Sequence, residues 1–328
     1  HGVGGVERVD QHSVGDIWPL SPLQEGLFFH ASYDQSTVDV YTAQDSLDFD
    51  RPLDVERIRI AGTALLEDAP GLRAGFTSDG LSQPVQFIAA DVDIPIREVD
   101  VRGMGAEQRA DVVEEVMTED RTRRFTLASP PLCRLMLIKG DDGDRLVVTR
   151  HLILWDGWSQ GVFLRELLTR YVDGPATPAQ TGSYCDYLMW LAEQDSDRAL
   201  GAWRSALSGL EEPTLLGPAG AEPTIPCQLR HELSGELSER LRDIARQHGG
   251  TAHTVPNVAW GLVLSTSLGR ADVVFGSTVS GRPADIPNVE NIMGMFLNTV
   301  PVRIPFDPRE TVHELFSRVQ AQRAELMP

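Results

Sequence analysis

A chain of 328 residues, 41% of them hydrophobic, carries enough apolar material for one large or two medium cores. Its 48 acidic residues against 29 Lys and Arg give a formal charge of −19, which argues against nucleic acid as a partner, and no basic stripe with interleaved aromatics offsets it. No run of 18 apolar residues can span a membrane, no Walker or Rossmann glycine loop is present, and the eight histidines show no HExxH or other close ligand pair.

The chain opens with HGVGGVERVDQHS, which lacks the apolar region of a signal peptide; residues 1–16 read as a linker or tag remnant. A helix is predicted over 21–33, with Ser21 as N-cap, Pro22 at the first helical position and Glu25 bonding back towards the cap. A second helix over 54–70 places Ile58, Ala61, Leu65 and Leu66 on one face. LRAGFTS and QPVQFIA read as a hairpin of strands, and 105–124 as an acidic, then basic helix. The strands PLCRLMLIKG (131–140) and RLVVTRHLILW (145–155) are joined by the turn DDGD, and Asp156-Gly157 bends the chain into an amphipathic helix.

VDGPATPAQTG (172–182) reads as a loop that separates this half from the next, giving an N-terminal lobe over 17–176 and a C-terminal lobe over 177–328. The second half is expected to hold helical residues over 183–209 with Trp190 and Trp203 as core anchors, and a loop over 209–226. A strand over 227–233, a helix capped at Ser234 and an apolar helix over 255–268 come next; strands at 272–280 and 295–304 and a helix over 310–325 complete it. Both halves are thus α+β, which predicts two similar lobes with a cleft between them. Cys133, Cys185 and Cys227 are isolated and odd in number, predicting reduced thiols in a cytoplasmic protein.

Two stretches carry chemistry. In the strand, alternation puts His151 with Val147 and Thr149, opposite Val148, Arg150 and Leu152. A lone histidine there reads first as a hydrogen-bonded core residue, and Asp156, five residues on, as a group that holds the strand end or pairs across a cleft. GWSQG (157–161) matches G-x-S-x-G, the context of a hydrolase nucleophile, with Ser159 attacking and His253 or His313 as downstream base. The absence of a preceding run of buried parallel strands weighs against that hydrolase.

Six stretches in order resemble the condensation domains of nonribosomal peptide synthetases, of the chloramphenicol-acetyltransferase-like fold. They are PLSPLQEGLFFH (19–30), PGLRAGF (70–76), HLILWDGWS (151–159), YCDYLMWL (184–191), VVFGSTVSGRP (273–283) and MGMFLNTVPVR (293–303). The resemblance implies an α+β fold of two chloramphenicol-acetyltransferase-like lobes in a V shape, with a tunnel between them. It implies acyl transfer, in which a carrier-bound aminoacyl amine attacks a carrier-bound peptidyl thioester. PLSPLQEG resembles the subtype whose donor ends in a D-residue. The implied partners are the upstream donor and downstream acceptor peptidyl carrier proteins and an adjacent adenylation domain. The resemblance further implies that the domain itself binds no cofactor or metal, since the substrates of such domains arrive on phosphopantetheine, and that the products of such assembly lines include antibiotics and siderophores.

The family signature is His-His-x-x-x-Asp-Gly, with the second histidine catalytic. Pairing Arg150-His151 with the two histidines leaves four residues before Asp156, one too many; keeping the spacing pairs His151 with the first histidine and Leu152 with the second. The catalytic position is therefore read as Leu152, through engineering or through natural lapse. The resemblance also implies that Asp156 pairs with Arg282 and that Gly157 presents its backbone amide beside the thioester. Ser159 and Trp158 are placed at the tunnel, with an N-cap role open for Ser159 and a core role open for Trp155 and Trp158. Asn298 resembles a floor-loop residue, and Arg73 a guard of the entry. Asp68-Ala69-Pro70 departs from the usual Arg-His-Pro, and the C-terminal lobe is expected to be incomplete at its end.

Overall fold

The structure is a computed structural model that describes residues 14–33, 39–177, 182–217 and 229–326, and these fall into two compact units. Among the described residues, the first holds those from Val14 to Glu193 together with Ser280–Leu297, and the second holds the others from Gln194 onwards. The first unit thus runs past the boundary expected at 176/177 and takes in a segment from far downstream.

In the first unit β1 (Val14–Pro19) leads to α1 (Pro22–Tyr33), β2 (Thr42–Asp48) and α2 (Val55–Asp68). Then come β3 (Ala74–Thr77), β4 (Val85–Ala89), β5 (Ile96–Asp100) and α3 (Ala106–Thr122), followed by β6 (Cys133–Lys139), β7 (Asp144–His151), α4 (Gly157–Asp173) and α5 (Tyr184–Ala192). One sheet has the order β1-β4-β3; the other is β2-β7-β6-β5, antiparallel except for the β5–β6 pair. Strands β1, β2 and β5 were not predicted: their patterns are largely exposed and polar, so the two-residue apolar signal is missing.

The central pair explains its own sequence. Strands covered on both faces read as apolar runs rather than as alternation. Leu135, Leu137, Leu146 and Val148 face the main core with Leu65, Leu66 and Phe163, whereas Met136, Ile138 and Val147 face Val116 of α3. Each fully buried side chain of this kind stabilises the fold by about 1.5–3 kcal/mol. Thr149 and His151 share the α3 side with Val147, and Thr149 donates to the Asp120 carboxylate of α3.

Helix starts follow the capping rules with one change. Ser21 caps α1, but the residue that reaches back to its N–H is Gln24 (3.0 Å), not Glu25, because the third helical position carries that geometry. Asp54 caps α2, and the predicted face of Ile58, Ala61, Leu65 and Leu66 is buried. The strand expected to reach residue 155 stops at His151 and turns, while residues 70–73 form a 3₁₀ turn ahead of β3. Val14–Asp16, expected within the N-terminal linker, belong to β1.

The second unit contains α6 (Ser196–Ala206), α7 (Gly235–Gln247), α8 (Thr254–Leu268), β8 (Asp272–Val279), β9 (Asn298–Pro305) and α9 (Val312–Leu326). Strands β8 and β9 pair antiparallel, and Val258 and Leu264 of α8 and Leu315, Phe316 and Val319 of α9 pack with Val273 and Ile304 in a separate, smaller core. Ser234 caps α7 as predicted. The strand expected over 227–233 is not formed by residues 229–233, and residues 227–228 lie outside the described residues. The predicted helix over 183–209 is broken at 193–195, and Trp190 and Trp203 are only partly buried. Among the described residues no helix is long and apolar enough to cross a membrane.

Candidate active site

Several of the predicted site residues meet where β7 ends. His151 closes the strand opposite Thr42, and its N–H donates to Leu132 O at 2.9 Å. Residues 152–154 then turn, so that Leu152 N–H reaches Tyr41 O at 2.8 Å and Leu154 N–H returns to His151 O. Gln24 fixes the turn from α1: its Nε2 donates to Ile153 O at 3.0 Å, across 129 residues of sequence.

His151 is fully buried. The Ile153 N–H donates to its Nδ1 at 3.1 Å, so the ring proton sits on Nε2. That nitrogen stands 3.4 Å from Asp39 Oδ2 without completing a hydrogen bond. Asp39 is itself held by the Tyr41 N–H (2.9 Å) and the Thr42 hydroxyl (3.0 Å). Burial penalises the imidazolium and pulls the His151 pKa down to about 4, against the attraction of Asp39 and with repulsion from Arg124 in support. Near neutral pH His151 is therefore an uncharged, buried ring. Leu152 is half-buried at the margin of the main core, and its isobutyl group offers no proton acceptor.

Asp156 is the hub of the turn. Oδ1 accepts from Ser159 N–H (2.8 Å), capping α4, and lies 3.4 Å from Arg282 Nη2; Oδ2 accepts from Phe296 N–H (3.2 Å) and Leu297 N–H (3.1 Å). Arg282 also donates to Ser159 Oγ (2.8 Å), to Ile292 O (2.9 Å) and to Val289 O, and its guanidinium lies 4.0 Å from the centre of the Phe296 ring. Gly281 precedes it at φ +61, where a Cβ would strike Phe296 O, so the turn that aims Arg282 requires glycine.

Ser159 is fully buried, with Oγ donating to Gly294 O (2.9 Å) and accepting from Gly294 N–H (3.1 Å) and Arg282. Its single proton is committed to a carbonyl, and among the described residues no imidazole bonds to it. That arrangement removes the nucleophile reading of GWSQG: the serine braces the Gly294 segment against α4.

The remaining predicted residues are spread out. Gly157 opens α4, is exposed, and a Cβ built on it would meet nothing within 4 Å, so no packing inside the molecule demands a glycine there. Trp155 is fully buried, stacked on Phe163 at 4.9 Å, and donates to Gln160 Oε1. Trp158 is not a core anchor: it is 57% exposed, its Nε1 donating to Glu290 O at 2.9 Å. Arg73 donates to Ala89 O (2.8 Å) and Ala90 O (2.6 Å), bracing the end of β4. Asn298 begins β9 in the second unit, exposed, its side chain accepting from Thr299 N–H. Asp39, Gln24 and Gly294 were missed: each acts across a long stretch of sequence, and only the glycine in MGMF carried a local signal.

A family model described as a condensation domain matches residues 14–328. A linear gramicidin synthase of Brevibacillus parabrevis is 34% identical over 98% of this chain, and bacitracin synthase 3 of Bacillus licheniformis is 32% identical over 94%. The chain spans only 6% and 5% of those relatives' lengths. Among solved structures, the first condensation domain of the calcium-dependent antibiotic synthetase with a substrate analogue is similar at a TM-score of 0.77 and 22% identity, over 95% of this chain and 74% of that one. The X-domain in complex with OxyB from teicoplanin biosynthesis is similar at 0.78 and 24%, over 99% and 73%. These similarities establish the chloramphenicol-acetyltransferase-like α+β fold.

Proposed function

The chain belongs to the condensation-domain family of nonribosomal peptide synthetases, and from that premise we propose that it is a peptide-bond-forming domain impaired in its own chemistry at Leu152. In the reaction the amine of a carrier-borne aminoacyl thioester attacks the carbonyl of a carrier-borne peptidyl thioester, whose last residue is of D configuration. The C–N bond forms, the C–S bond breaks, and the departing sulfur takes up the proton that the amine loses. Both substrates arrive on phosphopantetheine arms of an upstream and a downstream carrier protein, with an adenylation domain adjacent, and the domain itself supplies no cofactor.

The observation that carries this reading is the setting of Leu152. The turn around it is pinned from three directions, by Tyr41 O, by Gln24 and by the Asp156 hub, yet the side chain at the catalytic position accepts no proton. His151 does not substitute for it, being buried, neutral and already bonded through Nδ1. Losing a positioned base or amine-orienting group costs roughly 10²- to 10⁴-fold in rate, while positioning of the two thioesters still lends some acceleration. The open approach at Gly157 suits a backbone amide offered to a substrate carbonyl.

The test loads both carrier proteins and follows dipeptide formation by the chain and by its Leu152→His variant. A rise of about 10²- to 10⁴-fold is expected. If the variant folds and the rate stays flat, the scaffold is not a dormant catalyst. The same leucine would then mark a silent domain that docks carrier proteins or recruits another enzyme. A fluorophosphonate probe is expected to leave the buried Ser159 unlabelled in both.

A further inference from the structure

The second unit carries a pair of imidazoles that the sequence spacing conceals. His248 caps the C-terminus of α7 and His313 lies in the first turn of α9, 65 residues apart, yet their Nδ1 atoms stand 2.7 Å from one another. The ring centres are 4.9 Å apart and the planes tilted by 50°; Phe316, itself buried, backs the His248 ring at 5.8 Å. His248 caps the C-terminal end of α7 and His313 lies on α9, so the packing of two helices brings the rings together.

We propose that His248 and His313 form a two-imidazole site for a divalent transition-metal cation of the copper, nickel and zinc class. Imidazole nitrogens bind such cations at about 2.0–2.1 Å, so two ligands at right angles stand about 2.9 Å apart and two tetrahedral ligands about 3.3 Å apart. The observed spacing reaches the first value by opening two tenths of an ångström. Glu314, next in the chain, is committed through Oε2 to the Thr311 N–H and hydroxyl, both at 2.8 Å. On this proposal water fills the remaining positions, and the cation acts as a clip between the end of α7 and the start of α9.

The full chain is titrated with ZnCl₂ and CuCl₂ by calorimetry, and the ring nitrogens are followed by NMR as ZnCl₂ is added. The Nδ1 signals of His248 and His313 are expected to shift together, with a raised melting temperature and with copper bound more tightly than zinc. His248→Ala and His313→Ala should each weaken zinc binding more than the about 10- to 100-fold that loss of a mere supporting partner costs. His30→Ala should leave it unchanged. Histidine signals that stay still in the wild-type chain at about 1 mM zinc overturn the site, whatever the variants' folding. So does zinc binding that survives either substitution; the pair is then only a hydrogen bond between two rings.

Discussion

Asp156 holds four groups at once: the first turn of α4, two backbone N–H groups of the Phe296 segment, and Arg282. Replacing it by alanine strands a buried guanidinium as well as those donors, and breaking a buried pair from one side costs about 3–5 kcal/mol. Urea unfolding of Asp156→Ala is expected to show a loss of that size, and Asp156→Asn a smaller one, since an amide oxygen still accepts from the backbone. A loss under about 1 kcal/mol would mean the hub is not holding the turn. His151 gives a pH prediction. Its folded pKa, near 4, lies below the unfolded value of 6.5, so between those limits the unfolded chain binds more protons. This residue's contribution to stability is therefore complete above pH 6.5 and declines as the pH falls towards 4. The decline should flatten in His151→Gln; an identical pH profile in that variant would show that His151 does not carry it.

The turn between β7 and α4 shows how far local rules reach. Apolar composition located β7, and Asp156-Gly157 located the bend into α4, because turns and periodicity are properties of neighbouring residues. The cap itself is Asp156 and not Ser159, which lies inside the helix and donates its N–H to that carboxylate. The end of β7 was overestimated, since Leu152, Ile153 and Leu154 continue the apolar run while tertiary bonds from Tyr41 and Gln24 bend it into a turn. Two glycines in this region make opposite predictions. Gly294→Ala drives a Cβ to 2.1 Å from the Tyr184 ring and should lower the melting temperature markedly. Gly157→Ala meets nothing and should leave the melting temperature within a degree or two, or raise it slightly. In the Leu152→His background Gly157→Ala should nevertheless slow dipeptide formation. Unimpaired turnover there would remove Gly157 from the substrate's path.

Across the whole molecule, the charge of −19 sets how it meets other acidic proteins. If it docks acidic carrier proteins as proposed, long-range repulsion slows encounter, and docking rests on local apolar and arginine patches. Raising the salt from about 50 to about 500 mM shortens the screening length from well over 10 Å to a few ångströms and should speed association in stopped-flow measurements. A rate that falls with salt would instead indicate steering by a complementary patch. The family resemblance, the caps at Ser21 and Ser234 and the buried face of α2 could all be read from the chain, because each depends on residues close together in sequence. Tertiary structure alone decided that His151 faces Asp39, that Gln24 holds Ile153 across 129 residues, and that Ser159 is spent on Gly294 across 135. It also assigned Ser280–Leu297 to the first unit and brought His248 to His313. Such contacts form where a buried polar group must find a partner, and that partner is chosen by which elements pack together, which no local pattern encodes.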